Sequence, residues 1–346
     1  MHLLFPGASL GIATDIALFV TSFIIPFNLV LAIFAGSFAI QFVGNHVLYK
    51  IALTQFAKDW AFGMAIMDSY ARSTLYAWVS PLIGVALAVG IVPLLRHPNL
   101  VLNAFRTSHR HEGGTVYYPL WKVFLPYVFA TAGISLLGYW LVPTINLVFL
   151  ISVNCFLSFI AALVVGRSIG TAVSFTIPYP RELMFIATGI SGNAWFMPTY
   201  LGYMSDWTSG FKVADLTDLH PWTYVKATSA FVPLALLMGF IWTIHFWSIA
   251  PIPSAFYPGI EASWKLNAIY QSLFYKASPD IFRLDWLTSG AVITGIIFLF
   301  SDKFRITSLI ISGTAGLATP IPMAASMLIG GIIGKIIEKR FGKASW

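Results

Sequence analysis

Asp15 is the one carboxylate that stands clearly within an apolar run, about Ala8–Ile25. A charged group at the centre of a bilayer costs about 2.5–3.5 kcal/mol, so it faces a cavity, pairs with a cation or takes up a proton. Asp15 therefore reads either as a proton carrier or as a helix-terminal residue on a shifted span. Arg167, Arg181 and Glu182 flank a stretch rich in Gly, Ser, Thr and Pro. Guanidinium groups offer planar, bidentate donors to a carboxylate, the makings of an anion clamp or gate. The plainer reading makes the two arginines cytoplasmic anchors and places Glu182 at a helix N-terminus. Asn28, Asn154 and Asn193 serve either a polar path or hydrogen bonds between helices. His46 and His245 lack the paired spacing of haem or metal ligands. His109, His111 and Glu112 lie in the most polar loop, where solvation accounts for them. No catalytic cluster, metal site or cofactor is expected, and the chain does not read as an enzyme.

The elements that must position these groups follow from composition. Of 346 residues, 58% are hydrophobic and 10% charged, with a mean hydropathy of +0.80; a soluble domain carries roughly 25% charged residues. One or two soluble cores could not hide that much apolar surface. A soluble enzyme, a nucleic-acid-binding module and a disordered scaffold are excluded as whole-chain readings. Apolar runs of about twenty residues match the thickness of a bilayer. The expectation is an all-α polytopic transmembrane bundle of about nine or ten membrane segments, some of them broken or re-entrant. It forms a single transmembrane domain over 1–346, with a basic cytoplasmic loop over 96–120 and a long extracytoplasmic loop over 251–285. The single cysteine, Cys155, excludes an intrachain disulfide. Stretch 50–72, with charges spaced among apolar residues, predicts an interfacial helix. No cleavable leader is evident in the first run, and no internal repeat stands out by eye.

Three interruptions carry the most information: Pro26–Asn28, Gly166–Pro180 with Gly189–Asn193, and Thr319–Pro322. Backbone breaks at membrane depth persist only where protein or water satisfies the freed polar groups, and paired broken helices mark substrate paths in transporters. Each alone also reads as a kink or a tight turn. If Pro26 is a turn and the other two segments return to the side they left, Lys50, Lys58, Arg72, Lys265, Lys276 and Arg283 fall outside. The other 14 of the 20 basic residues fall inside, with the C-terminus among them.

The stretch Gly166-Arg-Ser-Ile-Gly-Thr-Ala-Val-Ser-Phe-Thr-Ile-Pro-Tyr-Pro-Arg-Glu-Leu183 resembles a segment of the oligopeptide transporter (OPT) family, where a small-residue turn bearing Arg and Gly precedes a re-entrant helix. Gly210-Phe-Lys-Val-Ala-Asp-Leu-Thr217 is similar to that family's loop before a late helix. Gly316–Gly334 with its basic tail resembles the family's closing Gly–Pro-rich break, and Ser22-Phe-Ile-Ile-Pro-Phe-Asn-Leu29 a break in prokaryotic members. The order of the pieces matches the C-terminal half of that family over most of the chain, so the sequence looks like one of two related halves. The resemblance implies a secondary transporter, or half of one. It would move a small organic solute, a peptide or a metal chelate, together with protons. Its path would be lined by Asp15, Pro26, Asn28, Arg167, Gly170, Tyr179, Arg181, Glu182, Asn193, Pro320 and Pro322. The missing half would come from a second copy or another membrane subunit. The rival reading is a non-transporting structural subunit of a larger membrane complex; no nucleic-acid partner is expected.

Overall fold

The computed structural model describes residues 4–96, 99, 120–188, 190, 192, 195, 204–258, 260, 264, 268, 271, 272, 274, 275 and 281–342. All regular elements among them are helical. In chain order they are α1 (Ile16–Ile24), α2 (Phe27–Phe38), a π-helical turn (Ala39–Gly44), α3 (Asn45–Ile51), α4 (Gln55–Asp59), α5 (Ile66–Ser73), a second π turn (Thr74–Trp78) and α6 (Val79–Arg96). Then come α7 (Leu120–Leu141), α8 (Leu147–Thr171), α9 (Pro180–Thr188), α10 (Met204–Leu216), α11 (Pro221–Ile249), α12 (Leu284–Phe304), α13 (Thr307–Leu317) and α14 (Ile321–Phe341). Among the described residues seven helices are long and apolar enough to cross a membrane: Phe27–Ile51, Ile66–Val92, Lys122–Leu141, Leu147–Thr171, Pro221–Ile249, Leu284–Ser301 and Ile321–Phe341. The chain is an all-α polytopic bundle, as its composition predicts.

Two expected elements differ. Stretch 50–72 is not one interfacial helix: Ala52 at φ 52° and Gly63 at φ 84° interrupt it. Its last part, α5, runs through the second π turn into α6 and belongs to a full span. The charges there are partly spent on each other, with Arg72 donating to Asp59 at 3.4 Å. Nor does the chain break at Gly166. α8 continues through Gly166 and Gly170 to Thr171, because two glycines at about 1 kcal/mol each do not end an apolar helix. The break is 172–179, and Ser168 Oγ pins it by accepting the Phe175 N–H at 3.0 Å. Phe175 and Ile177 are buried while Ser174 and Thr176 are exposed, the alternation of an extended chain.

The chain gathers into two compact units. The second, Pro98–Cys155 and Met184–Ser278, contains α7, α10 and α11. Asn154 Nδ2 reaches Ser135 Oγ at 3.0 Å, and Ser135 donates to the Thr131 carbonyl at 2.8 Å. α10 and α11 form a hairpin whose turn, Asp218, is left-handed at φ 53°. His220 caps α11 by accepting the Trp222 N–H, and the ring of Tyr224 fills the place a Cβ on Gly210 would take. No residue of the 29-residue α11 is buried.

The first unit is Met1–His97, Phe156–Leu183 and Pro279–Trp346. Here α6 and α12 run in parallel. Ser80 Oγ donates to the Ile281 carbonyl and accepts from the Arg283 N–H, both at 2.9 Å. Gly84 abuts Leu287, and Arg96 reaches the Leu299 carbonyl at 3.4 Å. Glycine is required at this crossing, since a Cβ on Gly84 would strike the Leu287 carbonyl and one on Gly290 that of Pro81.

Beside that pair, α1–α2 and α13–α14 form two interlocked hairpins. Ile33 lies against Gly316, Gly36 against Gly313, and Ser37 Oγ donates to the Thr319 carbonyl at 2.7 Å, so α2 and α13 run in parallel. Gly11 lies against Pro322 and Phe19 against Gly330, so α1 and α14 also run in parallel. Adding 294 to a residue number of the first hairpin gives its counterpart in the second: Pro26 becomes Pro320 and Gly36 becomes Gly330. The contacts obey the same rule. A Cβ on Gly36 would meet the Gly313 carbonyl, and one on Gly330 would meet that of Phe19, the residue 294 before Gly313. The turns match as well. Pro26 (φ −52°, ψ 129°) accepts from Leu29 and Val30 N–H at 2.9 and 3.3 Å; Pro320 (φ −57°, ψ 135°) accepts from Met323 and Ala324 N–H at 3.0 and 3.1 Å. The first hairpin takes its long helix in one direction and the second in the other. Together they are an inverted repeat.

Candidate functional site

Span Phe27–Ile51 has 25 residues and serves as a depth scale for the first unit. Ser37, its eleventh residue, holds the Thr319 carbonyl, so the Thr319–Pro322 break lies about 15 Å along the span at 1.5 Å per residue, near its middle. Pro26 lies elsewhere. Its neighbour Phe27 sits under the Lys335 ammonium, 4.8 Å from the ring centroid, and Pro26 and Asn28 are exposed at that basic end. The three breaks therefore do not all converge.

What meets the mid-span break is an N-terminal arm, residues 6–15; sequence patterning assigns it to a helix from about Ala8 onward, and it is not helical. The Ser9 N–H donates to the Gln41 carbonyl and the Ala13 N–H to the Pro322 carbonyl, both at 3.0 Å. Ser326 Oγ donates to the Ala13 carbonyl at 2.7 Å. At the outer end His46 Nδ1 donates to the Pro6 carbonyl at 2.9 Å, which fixes that tautomer, and the Phe5 ring packs on Phe42. The arm's Gly7, at φ 81°, is left-handed, and a Cβ there would strike the Asn45 carbonyl at 2.7 Å. The π turn at Ala39–Gly44 explains how a helix can lend a carbonyl: its wider winding breaks the regular ladder, and such turns recur at functional sites.

Asp15 ends the arm. It caps α1, accepting the Ala17 N–H at 2.9 Å, and is exposed. It thus stands at a helix start rather than inside a helix. Between the anchors, Leu10, Gly11, Ile12 and Thr14 make no hydrogen bond among the described residues. Backbone polar groups left unpaired in hydrocarbon cost several kcal/mol each.

A second approach reaches the same break. Tyr70 Oη donates to the Ala318 carbonyl at 2.7 Å, and Tyr179 is an electrostatic neighbour of Tyr70. Tyr179 is itself left-handed, at φ 48°, the residue on which the extended 172–179 segment turns into α9. Its carbonyl accepts the Leu183 N–H at 3.0 Å, and Glu182 lies close to its phenol. Glu182 is buried and pairs with Arg181 at 3.6 Å, so that guanidinium is partly neutralised by its own neighbour. Arg167 is a helical residue of α8, and Gly170, also helical, is exposed. Pro320 and Pro322 form the break, with Pro322 buried. Asn193 lies outside the described residues, as does most of loop 96–120.

Sequence reasoning missed a polar network behind the break. Asn45 Nδ2 donates to Gln41 Oε1 at 3.3 Å and to Ser73 Oγ at 3.1 Å, and Asn45 Oδ1 accepts the Trp78 indole N–H at 2.7 Å. Gln41, Asn45 and Ser73 are buried, and Gln41 Nε2 has no partner among the described residues. The signal was present: Ser37, Gln41 and Asn45 recur every fourth residue in an otherwise apolar run, one polar stripe on a helix. No group of three or more His, Cys, Asp or Glu that could hold a metal ion occurs among the described residues.

Seven apolar spans, broken half-length helices and a polar stripe at mid-span define a multi-pass α-helical membrane protein. Compared with known proteins, the chain matches no family model, no curated protein and no solved structure.

Proposed function

We propose that the chain is a secondary transporter, or half of one, that moves a small organic solute with protons. One observation carries this. Near the middle of the Phe27–Ile51 span, the non-helical arm and the Thr319–Pro322 break meet, and four arm residues, Leu10–Ile12 and Thr14, lack backbone partners among the described residues. Non-helical backbone at such depth is tolerated where it lines a watery cavity, and unwound segments beside half-helices are where transporters hold their cargo. A peptide or metal chelate is the cargo suggested by the resemblance to the oligopeptide transporter family. The excess of basic residues on the α14 side argues for the cell membrane with a cytoplasmic C-terminus.

Purified protein in liposomes, given a pH gradient and a panel of labelled di- to tetrapeptides and chelates, is expected to accumulate at least one solute. Absence of gradient-driven uptake across the panel, with any co-purifying subunit supplied, would end this reading. One feature favours the rival, a structural subunit: α11 buries no residue within this chain, as expected of a helix that docks on another polypeptide.

A further inference from the structure

We propose that the N-terminal arm, residues 6–13, is a gate that closes one mouth of the path, on the face opposite the basic tail. The inference rests on the transport reading above and on the way the inverted repeat is broken. Under the 294-residue rule, α1–α2 and α13–α14 share the geometry of their turns and the close contact of Gly36 and of Gly330 with a facing carbonyl. Such a pair presents two equivalent tips, Pro26–Asn28 and Pro320–Pro322. The surroundings are not equivalent. Pro26 and Asn28 are exposed, whereas Pro322 is buried, with Gly11 against its ring and the Ala13 N–H on its carbonyl. The counterpart of 7–13 under the 294-residue rule is 301–307, which is spent on the α12–α13 turn: the Ile306 N–H donates to the Ser301 carbonyl at 3.0 Å. The arm therefore covers the tip of the second hairpin, and among the described residues no equivalent segment covers the first.

Its attachments suit a moving part. A covering segment meant to be permanent would pair along its length or continue α1 as helix. This one is held at its two ends, by His46 with Phe42 outside and by Pro322 with Ser326 at mid-span, plus the single Ser9–Gln41 bond. Gly7, Ala8 and Ser9 are buried, but from Leu10 to Ile12 the backbone makes no hydrogen bond among the described residues, and the Leu10 and Ile12 side chains are 44% and 60% exposed. Two of the holding carbonyls, Gln41 and Pro322, belong to a π turn and a helix N-terminus. Neither helix is dismantled when the arm leaves.

Thiol reactivity tests this without any solute. In a Cys155→Ser background, Pro322→Cys and its counterpart Asn28→Cys are each labelled with a membrane-impermeant methanethiosulfonate in sealed proteoliposomes. Releasing the arm with Ser9→Pro (no N–H for Gln41) plus Ser326→Ala, or by deleting residues 2–13, is expected to raise the Pro322→Cys rate at least about tenfold and leave Asn28→Cys within about twofold. An unchanged Pro322→Cys rate in both variants overturns the gate. A comparable rise at both positions also overturns it, because the arm then holds the whole fold rather than one mouth. Since labelling needs no cargo, its failure counts against the arm alone, and failure of liposome uptake counts against the carrier.

Discussion

Asp15 shows how one side chain separates two roles. Asparagine caps helices about as well as aspartate, whereas alanine loses about 1 kcal/mol. Asp15→Asn is therefore expected to keep the thermal stability of the detergent-solubilised protein and to abolish the dependence of uptake on a pH gradient. Uptake by Asp15→Asn with intact proton dependence would clear the carboxylate of that role. Asn45 makes the opposite case, a buried residue with three partners. Replacing it with Leu leaves the Trp78 indole N–H and the Gln41 amide oxygen unmet, while Ser73 keeps its bond to the Tyr70 carbonyl; the loss costs about 1–3 kcal/mol, and a fall in melting temperature with no change in solute selectivity is the expected reading. Of these two residues only Asp15 was legible in the sequence, because a charge in an apolar run is conspicuous. Asn45, Gln41 and Ser37 were hidden by hydropathy averaging, which responds to the apolar majority of Phe27–Ile51 rather than to spacing. Tyr179 and Arg181 stand out in the sequence through their Pro-rich surroundings, but only the structure shows that Arg181 pairs with Glu182.

Among the elements, prolines announced the breaks correctly at Pro26, Tyr179–Pro180 and Pro320, since proline cannot extend the preceding ladder. Glycines misled at Gly166 and Gly170, which an apolar helix absorbs. The inverted repeat could not be read by eye: over the two hairpins the aligned identities reduce to Ile16 with Ile310, Pro26 with Pro320 and Gly36 with Gly330. Those positions are kept alike by geometry, not by similarity of the sequence around them. Gly36→Ala and Gly330→Ala each force a methyl onto a carbonyl. Each is expected to lose about 1–3 kcal/mol by overpacking, more than the ~1 kcal/mol gained in helix propensity. Gly239→Ala in α11, where nothing lies within 4 Å, should instead hold or raise stability. Thermal-shift measurements on the three variants decide it: equal effects at all three would mean that the crossings are loose.

For the molecule as a whole, the sequence announced the class, a polytopic helical membrane protein, from composition and run length alone. It did not announce how unevenly the chain is packed. The first unit is knit by glycine contacts and long-range hydrogen bonds, and the second carries a 29-residue helix without a buried residue. Native mass spectrometry after gentle extraction is expected to find the chain with a second copy or another polypeptide. A purely monomeric species in several mild detergents would leave α11 to the lipid and the half-transporter reading without its other half.

The two interlocked hairpins lie almost three hundred residues apart along the chain, at 16–38 and 307–341. A ribosome must therefore emit everything between Phe38 and Thr307, and then the second hairpin, before α1 and α2 acquire the neighbours that bury them. Until then the nine-residue α1, too short to cross a bilayer unaided, has to be sheltered by the insertion machinery. Maturation should thus hinge on the codons for Thr307–Phe341, and stalling translation just upstream of Thr307 should leave the α1–α2 hairpin susceptible to proteolysis.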